Sequence, residues 1–389
     1  TLQIIQTADL DGDGDLDIIS AASNPGPTSD NHRIIWYEND GANNPTWSIN
    51  TITSGDTNAR YYAMNISDLD HDGDLDIIYG KLSDLRLLEN DGSNDPGFSD
   101  SRILNIGPDT IEDIEFGDID NDGDLDIIYA AHGYVRYLKS DGATDPAFAY
   151  THNSLLANNP VGPIDWAGTN PLDIDIADLD GDGDLDIVGA FQGYNSKSGI
   201  TWIENMIDSP INGYNWDTKL IYSGDENNYP GTINGMDFRY ISVGDIDNDG
   251  DLDIVSGSNT HNSSATELGH INLYENDGAS DPAWTKTTID SYIPGYFVEL
   301  ADIDSDGDLD IVSTSKNPYG TTTYIDWYEN DGAATWTPAF TAADINISAN
   351  VARDLHIADM DRDGDLDIVS ASSGDNTIAW YENDGAANP

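Results

Sequence analysis

Short apolar runs rich in Ile, Val, Tyr, Trp and Thr recur along the whole chain, and they return in groups of four. No 3.6-residue periodicity links them, so the pattern predicts β-strands rather than helices. The first run of each group is Leu2 to Ala8, Tyr61 to Ser67, Ile111 to Gly117, Leu172 to Ala177, Phe238 to Gly244, Tyr296 to Ala301 and Asp354 to Ala358. The second follows an aspartate-rich interruption and reads Ile-Ile-Ser-Ala or a relative, nearly continuous in apolar character, as a strand covered on both faces would be. The third ends in an acidic turn, as in Ile34-Ile35-Trp36-Tyr37-Glu38-Asn39-Asp40-Gly41, with relatives at Leu87, Val135, Thr201, Asn272, Asp326 and Ala379. Asn-Asp-Gly closing such a run is a hairpin signal. A fourth run, often introduced by Pro and an aromatic, covers Trp47 to Ile52, Phe98 to Leu104, Phe148 to Leu155, Trp216 to Ile221, Trp284 to Ile289 and Trp336 to Ala342.

The interruption between the first and second runs is one nine-residue segment that occurs seven times, with Asp at relative positions 1, 3, 5, 7 and 9 and glycine at position 6. The copies are Asp9, Asp11, Asp13, Asp15 and Asp17; Asp68, Asp70, Asp72, Asp74 and Asp76; Asp118, Asp120, Asp122, Asp124 and Asp126; and Asp178, Asp180, Asp182, Asp184 and Asp186. Three more follow: Asp245, Asp247, Asp249, Asp251 and Asp253; Asp302, Asp304, Asp306, Asp308 and Asp310; and Asp359, Asp361, Asp363, Asp365 and Asp367. Five carboxylates so close repel one another, so an ordered loop of this kind calls for a cation. Hard oxygen ligands at alternate positions suit calcium, and the glycine, Gly14 in the first copy, permits the sharp turn that wraps positions 1, 3 and 5 around one ion. By analogy with the EF-hand loop, side chains at 1, 3, 5 and 9 and a backbone carbonyl at 7 are the expected ligands. The nine-residue length and the absence of flanking helical periodicity argue against an EF-hand itself. The expectation is about seven calcium ions, one per copy, in a structural role.

Four strands per unit and seven units predict an all-β fold: a single seven-bladed β-propeller of four-stranded antiparallel blades, with a calcium loop between strands 1 and 2 of each. The blades fall at about 1–54, 55–107, 108–157, 158–223, 224–291, 292–343 and 344–389. A calcium-binding β-helix would repeat every nine residues, which these units do not. Residues 1 to 8 align with the innermost strands of the other blades, so blade 7 is expected to lack its outer strand, exposing the edge of Thr377 to Glu382. Such an edge invites pairing, from residues trimmed from either end or from a neighbouring molecule in self-assembly.

The Asp-x-Asp-x-Asp-Gly-Asp-Leu-Asp segment after a short strand resembles the FG-GAP and VCBS repeat propellers, including the integrin α-subunit head. That resemblance covers nearly the whole chain and implies Ca²⁺ in the loop between the first and second strands. Integrins carry the loop in only some blades, whereas all seven have it here, and the Phe-Gly and Gly-Ala-Pro signatures are not present as such. The chain is therefore nearer the secreted microbial VCBS type. Function does not transfer with the fold.

The charge balance, 14 Lys+Arg against 73 Asp+Glu for a net of −59, argues against nucleic acid as a partner, because a phosphate backbone needs basic neutralisation. It suits a protein kept soluble in salty surroundings. Cysteine is absent, so disulfides and thiol chemistry are not in play. Weak calcium sites fit a compartment where calcium is millimolar, and no apolar run approaches a membrane span, so an extracellular or cell-surface location is expected. The chain starts on repeat sequence without a signal peptide, which reads as a mature or trimmed form. Of three glycosylation sequons, at Asn65, Asn262 and Asn346, Asn262 in a long polar loop is favoured.

The calcium loops and the Asn-Asp-Gly turns share one face and are monotonous, while the loops of the opposite face vary. Trp166, Tyr194, Tyr229 and Tyr319 fall in those varied loops and suit stacking on sugar rings. Trp36, Trp202, Trp327 and Trp380 occupy equivalent strand positions and read as blade packing. No Ser/His/Asp signature, phosphate loop or zinc spacing is present, so no catalytic residue is assigned; a His132, Tyr134 and Arg136 alternation in blade 3 is the one group with acid–base potential, of the kind a polysaccharide lyase uses. The leading expectation is a recognition or adhesion module for a glycan or cell-surface protein. A polysaccharide lyase and a structural subunit of a surface filament are the alternatives.

Overall fold

A computed structural model of the chain describes residues 2–22, 33–42, 44–54, 61–143, 147–150, 169–193, 198–206, 216–223, 236–260, 269–291, 295–316, 323–330, 332, 341–346 and 351–385. Among them are 27 strands and no helix, in six four-stranded sheets and one three-stranded sheet. Every sheet runs in sequence order from an innermost strand outward, and every described pairing is antiparallel. The innermost strands are Leu2–Ala8, Tyr61–Ser67, Ile111–Gly117, Thr169–Ala177, Met236–Gly244, Gly295–Ala301 and Ala352–Ala358. Each touches the next, and the last touches the first, so the ring closes as a seven-bladed propeller.

Apolar burial lies between blades rather than within them. Seven buried clusters each draw on two neighbouring blades. The first joins Ile4, Ile19 and Trp36 of blade 1 to Tyr61, Met64 and Tyr79 of blade 2, and the closing one joins Val369 and Met360 of blade 7 to Ile5 and Ile18 of blade 1. A single blade could cover neither face, so the ring is the folding unit. The second strands are the most continuously buried, as their unbroken apolar pattern requires: Asp126–Ala131 is buried at every residue. Trp36, Trp202 and Trp327 are buried and Trp380 is half-buried, all in these inter-blade clusters.

Leu2–Ala8 pairs with the second strand of blade 1, and blade 7 has three strands among the described residues, ending with Thr377–Tyr381. Two outer strands are described only in part. In blade 6 the described outer strand is Thr341–Asn346, with Thr341 paired to Glu329, and the expected run from Trp336 to Phe340 lies outside the described residues. In blade 3 only Ala149–Tyr150 forms the described outer strand, and the rest of the expected run lies outside the described residues.

All seven innermost strands break register near their start, as at Leu2/Ile4, Pro171/Asp173 and Ala352/Asp354. A bulge here bends the strand where it crowds the axis. Innermost strands also leave backbone N–H groups with no sheet partner, and acids of the preceding blade accept them. Asp113 Oδ2 accepts from Ile174 at 2.8 Å, Asp173 Oδ2 from Ile241 at 2.7 Å and Asp354 Oδ2 from Ile5 at 2.8 Å. Burial pushes Asp113 and Asp354 up to about 7 against the pull of the Ile174 and Ile5 donors, and Glu299 up to about 8 against that of the Ile357 N–H.

Candidate metal centres

The seven aspartate segments form seven loops of one shape. Glycine at position 6 sits near φ +100° throughout, at 95° for Gly14 and 102° for Gly364, a region closed to a side chain. That turn brings carboxylates together: Asp9, Asp11 and Asp13 place one oxygen each within 4.8 Å of one another, and so do Asp68, Asp70 and Asp72, Asp118, Asp120 and Asp122, and Asp178, Asp180 and Asp182. In blade 5 the group is Asp245, Asp247 and Asp253, which draws position 9 into the set.

The same carboxylates also satisfy the loop's backbone. Position 1 accepts the glycine N–H, as Asp178 Oδ2 does from Gly183 at 3.0 Å, and position 5 accepts from position 7, as Asp72 Oδ1 does from Asp74 at 3.0 Å. Some of these acids, such as Asp178, accept backbone N–H groups on both oxygens, while others keep one oxygen without a donor. Asp9 Oδ1, Asp68 Oδ1 and Asp359 Oδ1 at position 1, Asp120 Oδ1 at position 3, and Asp76 Oδ2 and Asp126 Oδ2 at position 9 are buried without a hydrogen-bond partner. A buried carboxylate oxygen with no donor is costly. Two such oxygens in one loop, as Asp68 Oδ1 and Asp76 Oδ2 are in the second, fit a hard divalent cation, held by positions 1, 3, 5 and 9.

Position 9 does more than the sequence suggested. Asp17 is buried; its Oδ2 accepts the N–H of Leu10 at 3.1 Å and its Oδ1 the N–H of Asn39 at 2.9 Å, tying the loop to the acidic turn. Burial raises its pKa to about 7, opposed by those two donors, and the equivalent Asp186 rises to about 8 for the same reason. At position 3, burial and then the neighbouring loop carboxylates raise Asp247 and Asp304. A cation would reverse that balance.

Position 7 turns its side chain away from the loop. A Cβ at Gly41, Gly92 or Gly278 would lie within 2.1 Å of an oxygen of Asp15, Asp74 or Asp251, so the glycine of the acidic turn is the seat of the position-7 carboxylate. From there the acid reaches the preceding blade's position 4. Asn121 Nδ2 donates to Asp184 at 2.5 Å, Asn248 Nδ2 to Asp308 at 2.6 Å, Arg362 Nη1 lies 2.6 Å from Asp15, and His71 Nε2 lies 3.9 Å from Asp124. The sequence marks position 4 only as variable; the fold puts it on the seam between blades, in the left-handed region, at φ 57° for His71 and 61° for Arg362.

A second set of residues was missed as anything but turn formers. Asn90 Nδ2 donates to Leu10 O of the preceding blade and to Leu75 O of its own at 3.0 and 3.2 Å. Asn205, Asn276, Asn330, Asn383 and Asn39 repeat the arrangement on Ile119, Leu179, Ile246, Ile303 and Met360. The signal was in the chain: position 2 of every loop is a buried Leu, Ile or Met, and in six of the seven, all but Leu69, its carbonyl accepts this amide. Blade 3 departs, with Ser140 in the asparagine's place, accepting the Gly142 N–H at 3.2 Å.

The expected recognition residues Trp166, Tyr194, Tyr229 and Tyr319 lie outside the described residues, as does Asn262. Asn65 donates its amide to Ile114 O and to Glu115, so this sequon is engaged between blades. In the His132, Tyr134 and Arg136 group, the Arg136 guanidinium stacks on the Tyr134 ring at 4.0 Å, the Tyr134 hydroxyl bonds Asp109, and His132 is exposed on the turn.

The FG-GAP-like repeat pattern matches residues 9–79, 68–129, 245–313 and 302–370. Among curated proteins none matches the chain. Solved structures share the fold at low identity. A lectin of Agrocybe aegerita, described by its specific recognition of non-reducing terminal N-acetylglucosamine, is 18% identical with a TM-score of 0.53, covering 90% of this chain and 81% of its own. The Dos1 propeller is 9% identical with a TM-score of 0.56, covering 98% and 92%. BBS1N, solved in complex with ARL6DN, is 10% identical with a TM-score of 0.53, covering 98% and 92%. No described helix is long and apolar enough to cross a membrane.

Proposed function

The chain belongs to the FG-GAP-like repeat family, and from that premise we propose that it is an extracellular recognition module, stabilised by calcium, that binds a glycan or a surface protein. The observation that carries this reading is the occupation of one face. There six acidic-turn asparagines and four position-4 side chains, His71, Asn121, Asn248 and Arg362, reach across the seams to the neighbouring loops. Calcium in the loops holds that face rigid and leaves recognition to the opposite one, where loop lengths and aromatics vary. Trp166, Tyr194, Tyr229 and Tyr319 supply stacking surfaces for sugar rings there, and the lectin among the structural neighbours supports a glycan. The net charge of −59 argues against nucleic acid and acidic polysaccharides as ligands.

A glycan array with the full chain in millimolar calcium tests this. Binding should weaken when those four aromatics are replaced by Ala singly, with the melting temperature unchanged. Loss of binding on Asp277→Ala, in an acidic turn of the loop face, would place recognition on the wrong side of this reading.

A further inference from the structure

The residue before the acidic-turn asparagine is glutamate in six blades: Glu38, Glu89, Glu204, Glu275, Glu329 and Glu382. It lies on the third strand beside the aspartate loop, close enough for Glu38 to act on Asp11 and Glu329 on Asp304. In blade 3 the same position is Lys139. Its ammonium is bonded to Asp120 and lies 2.7 Å from Asp122 Oδ2. These are positions 3 and 5 of the loop, two of the three carboxylates gathered there with Asp118. Four of these glutamates, Glu38, Glu204, Glu275 and Glu329, thus act on loop carboxylates, Glu204 being itself paired with Lys219 at 3.0 Å, whereas in the third loop a cation bonds the loop carboxylates themselves. Lys139 is covalently attached, so its effective concentration at the loop does not depend on dissolved ions, and a divalent cation would have to displace it or sit against like charge.

We propose that Lys139 is the resident cation of the third loop, so that blade 3 is held without calcium while loops flanked by glutamate take an ion. Resting on the calcium reading above, this makes the chain non-uniform in metal where its aspartates are uniform. The exchange at Ser140 belongs to the same departure, since the adjoining asparagine amide is absent there too.

The test is the calcium content of the full chain after equilibrium dialysis, with folding checked by circular dichroism. Asp11→Asn should lower the count by one and Asp120→Asn should leave it unchanged. Lys139→Glu should raise it by one; Lys139→Gln, which removes the charge at similar length, should do so at higher calcium if the glutamate variant fails to fold. A loss of one ion on Asp120→Asn, or no gain in either folded Lys139 variant, overturns this inference alone. A wild-type chain with no bound calcium overturns the calcium reading and this inference with it.

Discussion

Arg362, at position 4 of the last loop, sets its Nη1 2.6 Å from Oδ1 of Asp15, at position 7 of the first. Ends of the chain far apart in sequence meet at this pair, beside two other contacts on the same seam: Asn39 to Met360 O and Ile5 N–H to Asp354. The ring is thus closed by side chains and by the Val369–Ile5 apolar cluster, without a strand shared between its ends among the described residues.

Arg362 is half exposed, so the pair is modest. Arg362→Ala should cost about 0.5 kcal/mol in urea unfolding, an amount that shrinks in 1 M salt. Arg362→Glu, which sets like charges against Asp15, should cost more. Equal losses at low and high salt would mean that the arginine acts by packing.

The asparagine latches should matter more, because their carbonyl partners are buried. Asn90→Ala should destabilise by about 1–3 kcal/mol, leaving Leu10 O and Leu75 O without the amide. Conversely, Ser140→Asn should add about 0.5–1.5 kcal/mol by supplying blade 3 with the missing latch. A destabilised Ser140→Asn would show that the seam between blades 2 and 3 is built differently.

Calcium removal should lower the melting temperature by about 10 °C. Six loops each occupied at ten times their Kd contribute about 1.4 kcal/mol apiece, about 8 kcal/mol in all, which for a chain of this length is a shift of that order. Calcium affinity should rise with pH from 5 to 8, because the cation competes with protons on carboxylates such as Asp17, raised to about 7, and Asp186, raised to about 8. Calorimetry with and without chelator, at several pH values, measures both effects.

Glu299 gives a pH dependence away from the loops. Burial and the neighbouring Asp354 carry its folded pKa to about 8, above the ordinary glutamate value. The folded state therefore holds this proton more tightly than the unfolded chain. Its stabilising contribution is complete at low pH and is lost as pH rises toward 8. Glu299→Gln keeps an acceptor for the Ile357 N–H without the charge. At pH 9 it should be more stable than wild type by at least about 1 kcal/mol, and at pH 4 nearly equal. Denaturant titrations at the two pH values decide this, and a variant less stable at both would refute it.

Strand identity, blade number and the three-carboxylate loops were legible in the chain because they depend on local chemistry. Alternation and β-branching set a strand, glycine sets a turn, and Asp at every second position crowds oxygens wherever the chain bends. The repeats then made the radial stack of blades unavoidable, since no blade can cover its own faces. What tertiary structure decided is how equivalent residues of different blades meet. Position 4 looked like a free position because its partner, Asp15 for Arg362 or Asp184 for Asn121, lies in another repeat. Asn90 looked like a turn former because the Leu10 carbonyl it holds is in the preceding blade. Position 9 looked like one more ligand because the two backbone donors that bury Asp17 come from different strands. Lys139 bears on the third loop only because the hairpin folds it over Asp120 and Asp122. A sequence states which groups each repeat carries; closing the ring fixes the distances between repeats, and those distances decide whether a side chain is a ligand, a latch or a counter-ion.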